Sequence, residues 1–306
     1  MATALTALDP ARFPARPAAD FQEALARVEA LQAWDSPAVQ PESGTRLWSH
    51  GAQTERSIVF YHGYTNAPPQ FKLLGDQFFA RGYNVLVPRL PHHGLRDRLT
   101  TDQANLKAEE LIAMAQETVD IARGLGQRVT IAGLSCGGVL AGWAAQFRPD
   151  VFLVLGMAPS AGLPFVPMWV STGFRKFAPR LPNLFIWWDP RVKDKIDGPP
   201  HGYPRFSTRG LAQIFRMARV IYDTADHAAP AAQHVAVLTS AFDTAVHNKT
   251  IYRLVERWRK QGATIDTYEF PKEQKVWHDL IDPANPTGQI DLTYPVVTRM
   301  LTQYDG

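Results

Sequence analysis

The chain has 306 residues, 45% of them hydrophobic and 20% charged, which is enough apolar material for one large core and unlike a disordered segment. A net charge of +3 is too small to argue for nucleic acid, and the single cysteine, Cys136, excludes an internal disulfide or a cysteine-based metal cluster. No run of about 18 apolar residues is present to span a membrane, and the N-terminus lacks a basic segment followed by an apolar one. Stable membrane insertion is therefore not expected, and a cytoplasmic location is.

In chain order, residues 20–34 set Phe21, Leu25, Val28, Leu31 and Trp34 at helical spacing, with Asp20 and Glu23 as a capping box. Residues 1–44 thus read as a helical extension and linker. TRLWSH and SIVFY read as strands, FKLLGDQFFARG as a helix, YNVLVP as a strand and NLKAEELIAMAQETVDIARG as a helix. RVTIAG and VFLVLG follow as strands. After a long interruption come the strand HVAVLTS, the helix NKTIYRLVERWRKQG, the strand TIDTYEF and a last helix containing PVVTRMLTQY. Short β-branched runs alternating with helices predict an α/β fold, a mostly parallel central sheet flanked by helices.

One corner in this pattern is unusual. In TIAGLSCGGVLAGWAA, Gly133 and Gly137 flank Ser135, and Gly138 follows, between an apolar strand and a helix. Glycine costs about 0.5–1 kcal/mol against alanine inside an element, so three of them suggest a forced backbone. A dinucleotide cradle would need glycine where Ser135 stands and an acidic residue about 20 positions on, and both are missing. A P-loop would end in G-K-[ST], which is absent, so no cofactor is expected. The nucleophile elbow G-x-S-x-G fits: its serine is pushed out above the sheet, and glycines remove clashing side chains. A serine merely capping a helix is the competing reading.

A serine nucleophile needs a histidine base, and that base needs a carboxylate to orient it; the elbow architecture sets the chain order Ser, Asp or Glu, His. Chemistry in such sheets collects at the carboxyl ends of the strands. Asp243 follows HVAVLTS and His278 follows TIDTYEF, in the required order. His227 and His234 precede Asp243, His247 sits only four residues beyond it, and Asp279 adjoins His278. An oxyanion site requires amides aimed at the developing charge. The backbone N–H groups of Cys136 and of Tyr64, in the loop HGYTNAPP after SIVFY, are the candidates, with Gly63 expected to allow an unusual backbone.

HGYTNAP, GLSCGG, AFDTAV and VWHDLI, in that order, resemble the α/β-hydrolase family over about residues 45–305, in particular bacterial carboxylesterases and monoacylglycerol-lipase-like enzymes. The resemblance implies Ser135 as nucleophile, His278 as base, Asp243 as its orienter, and the Tyr64 and Cys136 amides as the oxyanion site. It also implies a hydrolase core of residues 45–159 and 231–306, with 160–230 inserted as a mainly helical cap. That insertion carries Trp169, Trp187 and Trp188 as candidate substrate contacts and LAQIFRMARVIY as an amphipathic helix. Its ten Lys/Arg against five Asp/Glu could draw anionic substrates or surfaces, though a solvated basic face is the more common explanation of such an excess. RLPHHGLRDR resembles the family's G-H-G turn with His92 in place of a glycine. His93 is expected to pack structurally, and no metal site is expected from this pair.

The implied activity is that of a serine carboxylesterase acting on small-molecule esters with short or medium acyl chains. A monoacylglycerol or lysophospholipase-like lipase, a thioesterase or an acyltransferase would use the same triad. A non-catalytic receptor would carry a degraded one.

Overall fold

The computed structural model describes residues 7–161, 182–191 and 198–305. The chain opens with α1 (Phe21–Gln32), then β1 (Arg46–Trp48), β2 (Thr54–Tyr61), α2 (Lys72–Ala80), β3 (Asn84–Val87), α3 (Ala108–Leu125), β4 (Gly126–Leu134), α4 (Cys136–Phe147) and β5 (Leu153–Met157). The segment after β5 contains β6 (Phe185–Trp187), β7 (Arg205–Ser207) and α5 (Thr208–Ala225). The chain closes with β8 (His234–Ser240), α6 (Asn248–Lys260), β9 (Ile265–Phe270) and α7 (Ile290–Thr302).

Seven strands form one sheet in the order β1-β3-β2-β4-β5-β8-β9, with β1 antiparallel and every other neighbouring pair parallel. Strands buried on both faces need nearly continuous apolar sequence. VTIAGL in β4, LVLGM in β5 and IVFY in β2 supply it and are buried throughout. The register sets Tyr61 beside Gly133 and Leu134 beside Met157. The loops leaving β2, β4 and β5 therefore emerge side by side at one edge, where the candidate residues lie.

One expectation needed adjustment, and one element was not foreseen. α1 is capped as expected, Asp20 accepting the Glu23 N–H at 2.8 Å, but it buries Ala24, Val28 and Leu31, while Trp34 lies beyond the helix end and is 64% exposed. The described part of 160–230 also contains an element the sequence reading did not include. Beside the 18-residue α5 it holds an antiparallel pair, β6 and β7, whose three-residue strands are too short to show alternation. In α5, Ser207 caps the start by accepting the Gly210 N–H at 3.1 Å. Ile214, Phe215, Ala218 and Ile221 are buried as the periodicity predicts, against α3 and α4.

Candidate active site

The corner at Ser135 is built by backbone contact. Ser135 has φ 58° and ψ −110°, a strained conformation for a residue with a side chain. Its N–H donates to the Met157 carbonyl at 2.9 Å, and its own carbonyl accepts from Ser160 N–H at 3.0 Å and Val139 N–H at 3.2 Å. A Cβ on Gly133 would lie 2.1 Å from the Gly137 carbonyl oxygen, and one on Gly137 would lie 1.9 Å from that of Tyr61. Only glycine lets the helix start this close to β2 and β4. Cys136 next door is fully buried, and burial pushes its thiol well above the ordinary range, so the sulfur is not poised as a nucleophile. Its N–H, at the first position of α4, has no acceptor within the helix.

His278 lies in the loop between β9 and α7, and its Nδ1 is 2.7 Å from Asp243 Oδ2, just past β8. The Asp243 side chain is fully buried, and its Oδ1 also accepts the Ala245 N–H at 2.7 Å. Burial alone would raise the Asp243 pKa, but the His278 charge and hydrogen bond and the backbone donors bring it below the ordinary carboxylate value. For His278, burial acts to depress the pKa. The Asp243 charge and hydrogen bond outweigh it, aided by Asp279, and leave the ring above the ordinary histidine value. The His278 ring thus has a fixed orientation and a raised affinity for a proton.

The loop after β2 is held by side chains. Leu90 N–H donates to His62 Nε2 at 3.1 Å, so the ring proton sits on Nδ1, which donates to the Gly63 carbonyl at 3.0 Å. Burial drives the His62 pKa far down and keeps the ring neutral. Asn66 N–H also donates to the Gly63 carbonyl, at 3.1 Å. In a trans peptide the N–H points opposite the C=O. Pinning the Gly63 carbonyl therefore aims the Tyr64 N–H the other way, and among the described residues that N–H has no acceptor. Gly63 itself is not left-handed; the positive φ in this loop belongs to Thr65, at 69°.

Ser135, His278, Tyr64, Ser160 and Gln70 line one cavity of about 680 Å³, within the range of small-molecule sites. Trp187 and Trp188 are on its wall with Phe206, Leu211 and Phe215, and Trp188 Nε1 donates to Thr65 Oγ1 at 3.0 Å. Trp169 falls outside the described residues. His247 occupies the N-cap position of α6 without a side-chain capping bond, His234 stacks on Tyr304, and neither lines the cavity. Asp279 engages Gln70 and Asn285.

His92 has φ 66°, the conformation a glycine would hold, and its ring lies between Asp102 (2.9 Å) and Glu110 (3.2 Å). His93 is buried against His62 and Tyr64, and burial lowers its pKa to about 4. Among the described residues no three His, Cys, Asp or Glu side chains gather at metal-binding spacing. Likewise no described helix is long and apolar enough to cross a membrane. Gln70, Trp277 and Asn285 line the cavity, and the buried His201–Asp282 pair (2.9 Å) ties the loop after His278; none was legible in the sequence, because no local motif marks them.

The sequence profile of the Alpha/beta hydrolase family matches residues 58–291, and the chain belongs to that family. A thermostable monoacylglycerol lipase of Bacillus sp. (strain H-257) is 24% identical over 116 residues, a match spanning 38% of this chain and 45% of that protein, so less than half of the relative's length is covered. Among solved structures, the monoacylglycerol lipase of Paleococcus ferrophilus superposes with a TM-score of 0.61 at 17% identity, over 84% of this chain and 98% of that one. A soluble variant of the Saccharomyces cerevisiae monoglyceride lipase, solved with a substrate analogue, gives 0.62 at 15% identity, over 85% and 91%. At these identities the two structures share the fold.

Proposed function

We propose that the protein is a serine carboxylesterase that hydrolyses short- to medium-chain acyl esters through an acyl-enzyme on Ser135. The observation that carries this reading is the hydrogen-bonded Asp243–His278 pair on the same cavity as a strained, backbone-pinned Ser135. In the reaction, Ser135 Oγ attacks the ester carbonyl carbon while His278 Nε2 takes its proton. The Tyr64 and Cys136 N–H groups receive the oxyanion. Collapse of the tetrahedral intermediate expels the alcohol, which takes the proton back from His278. Water, deprotonated by the same ring, then frees the acid and regenerates Ser135.

The described part of the insertion acts as a cap: Trp187, Trp188, Phe206 and Phe215 give the cavity an apolar wall. Each methylene that fits adds up to about 0.8 kcal/mol, and the gain stops when the space is filled. Rates on p-nitrophenyl esters should rise with chain length, peak at a short or medium chain and fall. Ser135→Ala should keep the fold and lose about 10³-fold or more of kcat/KM. A lipase acting on monoacylglycerols is the second reading, favoured by the Bacillus relative. A preference still climbing at sixteen carbons, with activation by a lipid surface, would select it, and hydrolysis confined to acyl thioesters would count against both.

A further inference from the structure

Gln70 has no part in the chemistry just described, yet it is 2% exposed and its amide joins the two loops that carry the site. Its Oε1 accepts the Gly63 N–H at 2.8 Å, and its Nε2 donates to Asp279 Oδ2 at 3.1 Å. Gly63 precedes Tyr64, and Asp279 follows His278. The two bonds fix the amide's orientation, since the flipped amide would set NH2 against an N–H and a carbonyl against a carboxylate. Asp279 is itself anchored: Oδ1 accepts the Ile281 and Asp282 N–H groups at 3.4 and 3.2 Å, and Asn285 Nδ2 donates to Oδ2 at 3.3 Å.

The sheet cannot set the distance between these loops. β4, β5 and β8 lie between β2 and β9, so four strand spacings of about 4.8 Å separate the loops at their roots. The loops must meet over the sheet, and Gln70 is where they are joined.

We propose that Gln70 is a positioning residue, a side-chain strut that sets the separation between the oxyanion loop and the His278 loop, so that the Tyr64 N–H and the His278 ring address the same ester carbonyl. By occupying the Gly63 N–H it also leaves Tyr64 as that loop's donor toward the cavity. This rests on the serine-hydrolase reading above.

Gln70→Glu keeps the shape and can still accept from Gly63, but it loses the donor and faces the Asp279 carboxylate. With p-nitrophenyl butyrate, kcat should fall about 10- to 100-fold, the scale of a displacement near 1 Å, with KM nearly unchanged. Adding Asp279→Asn restores a donor–acceptor pair with the roles exchanged, at the expense of the bond from Asn285, and should recover part of the loss. Gln70→Met, which is of similar length and has no polar end, should show the same fall and gain nothing from Asp279→Asn, so the pattern can be read even if Gln70→Glu folds poorly.

Wild-type kcat in folded Gln70→Glu or Gln70→Met, a change in KM alone, or no rescue by the double variant would overturn the strut. Labelling with a fluorophosphonate separates the two claims. Wild type that does not label at Ser135 removes the serine-hydrolase reading. Wild type that labels, with Gln70→Glu labelling equally fast, removes the strut alone.

Discussion

The Ser135 corner and the His278 loop face the same cavity but are held in place by different means. At the corner nearly every constraint is main chain against main chain: Gly137 on the Tyr61 carbonyl, Ser135 N–H on Met157, Ser160 N–H on Ser135. The His278 loop is held by side chains, through Asp243 to the ring, Gln70 and Asn285 to Asp279, His201 to Asp282, and Ser240 Oγ to the Val276 carbonyl. A corner of packed backbone tolerates no added atom. A loop tied by side chains tolerates most changes of volume but is sensitive to a change in one donor or one charge. Substitutions should therefore damage folding at the first region and chemistry at the second.

The largest effect is expected in the second region. Asp243→Asn leaves the volume almost unchanged but removes the charge and favours the wrong ring tautomer, so kcat should fall by about 10⁴-fold while the unfolding temperature moves little. The acidic limb of the rate profile gives a sharper test. In the proposed mechanism His278 works as a base only when neutral, so activity should rise as pH rises through its pKa, which lies above the ordinary histidine value because of Asp243. With the charge gone and burial still acting, the residual activity should switch on at lower pH than in wild type. A limb that stays in place would mean that Asp243 does not set the ring's proton affinity.

The next effect belongs to the first region. Gly137→Ala puts a methyl 1.9 Å from the Tyr61 carbonyl oxygen, a backbone atom with no room to move away inside β2. Destabilisation of about 4 kcal/mol or more is expected, seen as loss of soluble protein or a steep fall in unfolding temperature. A stable but inactive Gly137→Ala protein would break the comparison, because it would show that the corner can yield without unfolding.

The same contrast explains what is legible in the sequence. Glycines required by backbone contact leave a local spacing, so Gly133, Gly137 and Gly138 mark the corner in the sequence alone. Asp243 and His278 can be placed because buried strands have recognisable apolar runs and the loops after them follow at once. The ties have no local signature. Gln70 meets Asp279 across 209 positions and His201 meets Asp282 across 81, and nothing near either residue announces its partner. Reading an unusual backbone into Gly63 places it two residues early, because Thr65 takes the left-handed conformation in this loop. β6 and β7, at three residues each, depend on pairing with each other rather than on an alternating pattern.

The smallest expected effect sharpens the comparison within a single helix. Gly142 lies five positions after Gly137 in α4 but faces away from β2, toward a small apolar cavity of about 30 Å³ lined also by Val139, Ala218, Ile221 and Trp258. Among the described residues, and apart from its chain neighbours and the helix's own backbone, the one atom within 4 Å of a Cβ built there is Ile221 Cδ1, at 3.5 Å, which is ordinary contact. Gly142→Ala should therefore gain the helix preference of alanine over glycine and bury one methyl where space already exists. Together these are worth about 1–2 kcal/mol, read as a higher unfolding temperature. Gly142 does not line the Ser135 cavity, so kcat should be unchanged. The same substitution five residues apart should then give opposite signs, collapse at Gly137 and stabilisation at Gly142. If Gly142→Ala also destabilised the protein, the whole of α4 would be as tightly constrained as its first turn, and the corner at Ser135 would not be the special point it is taken to be.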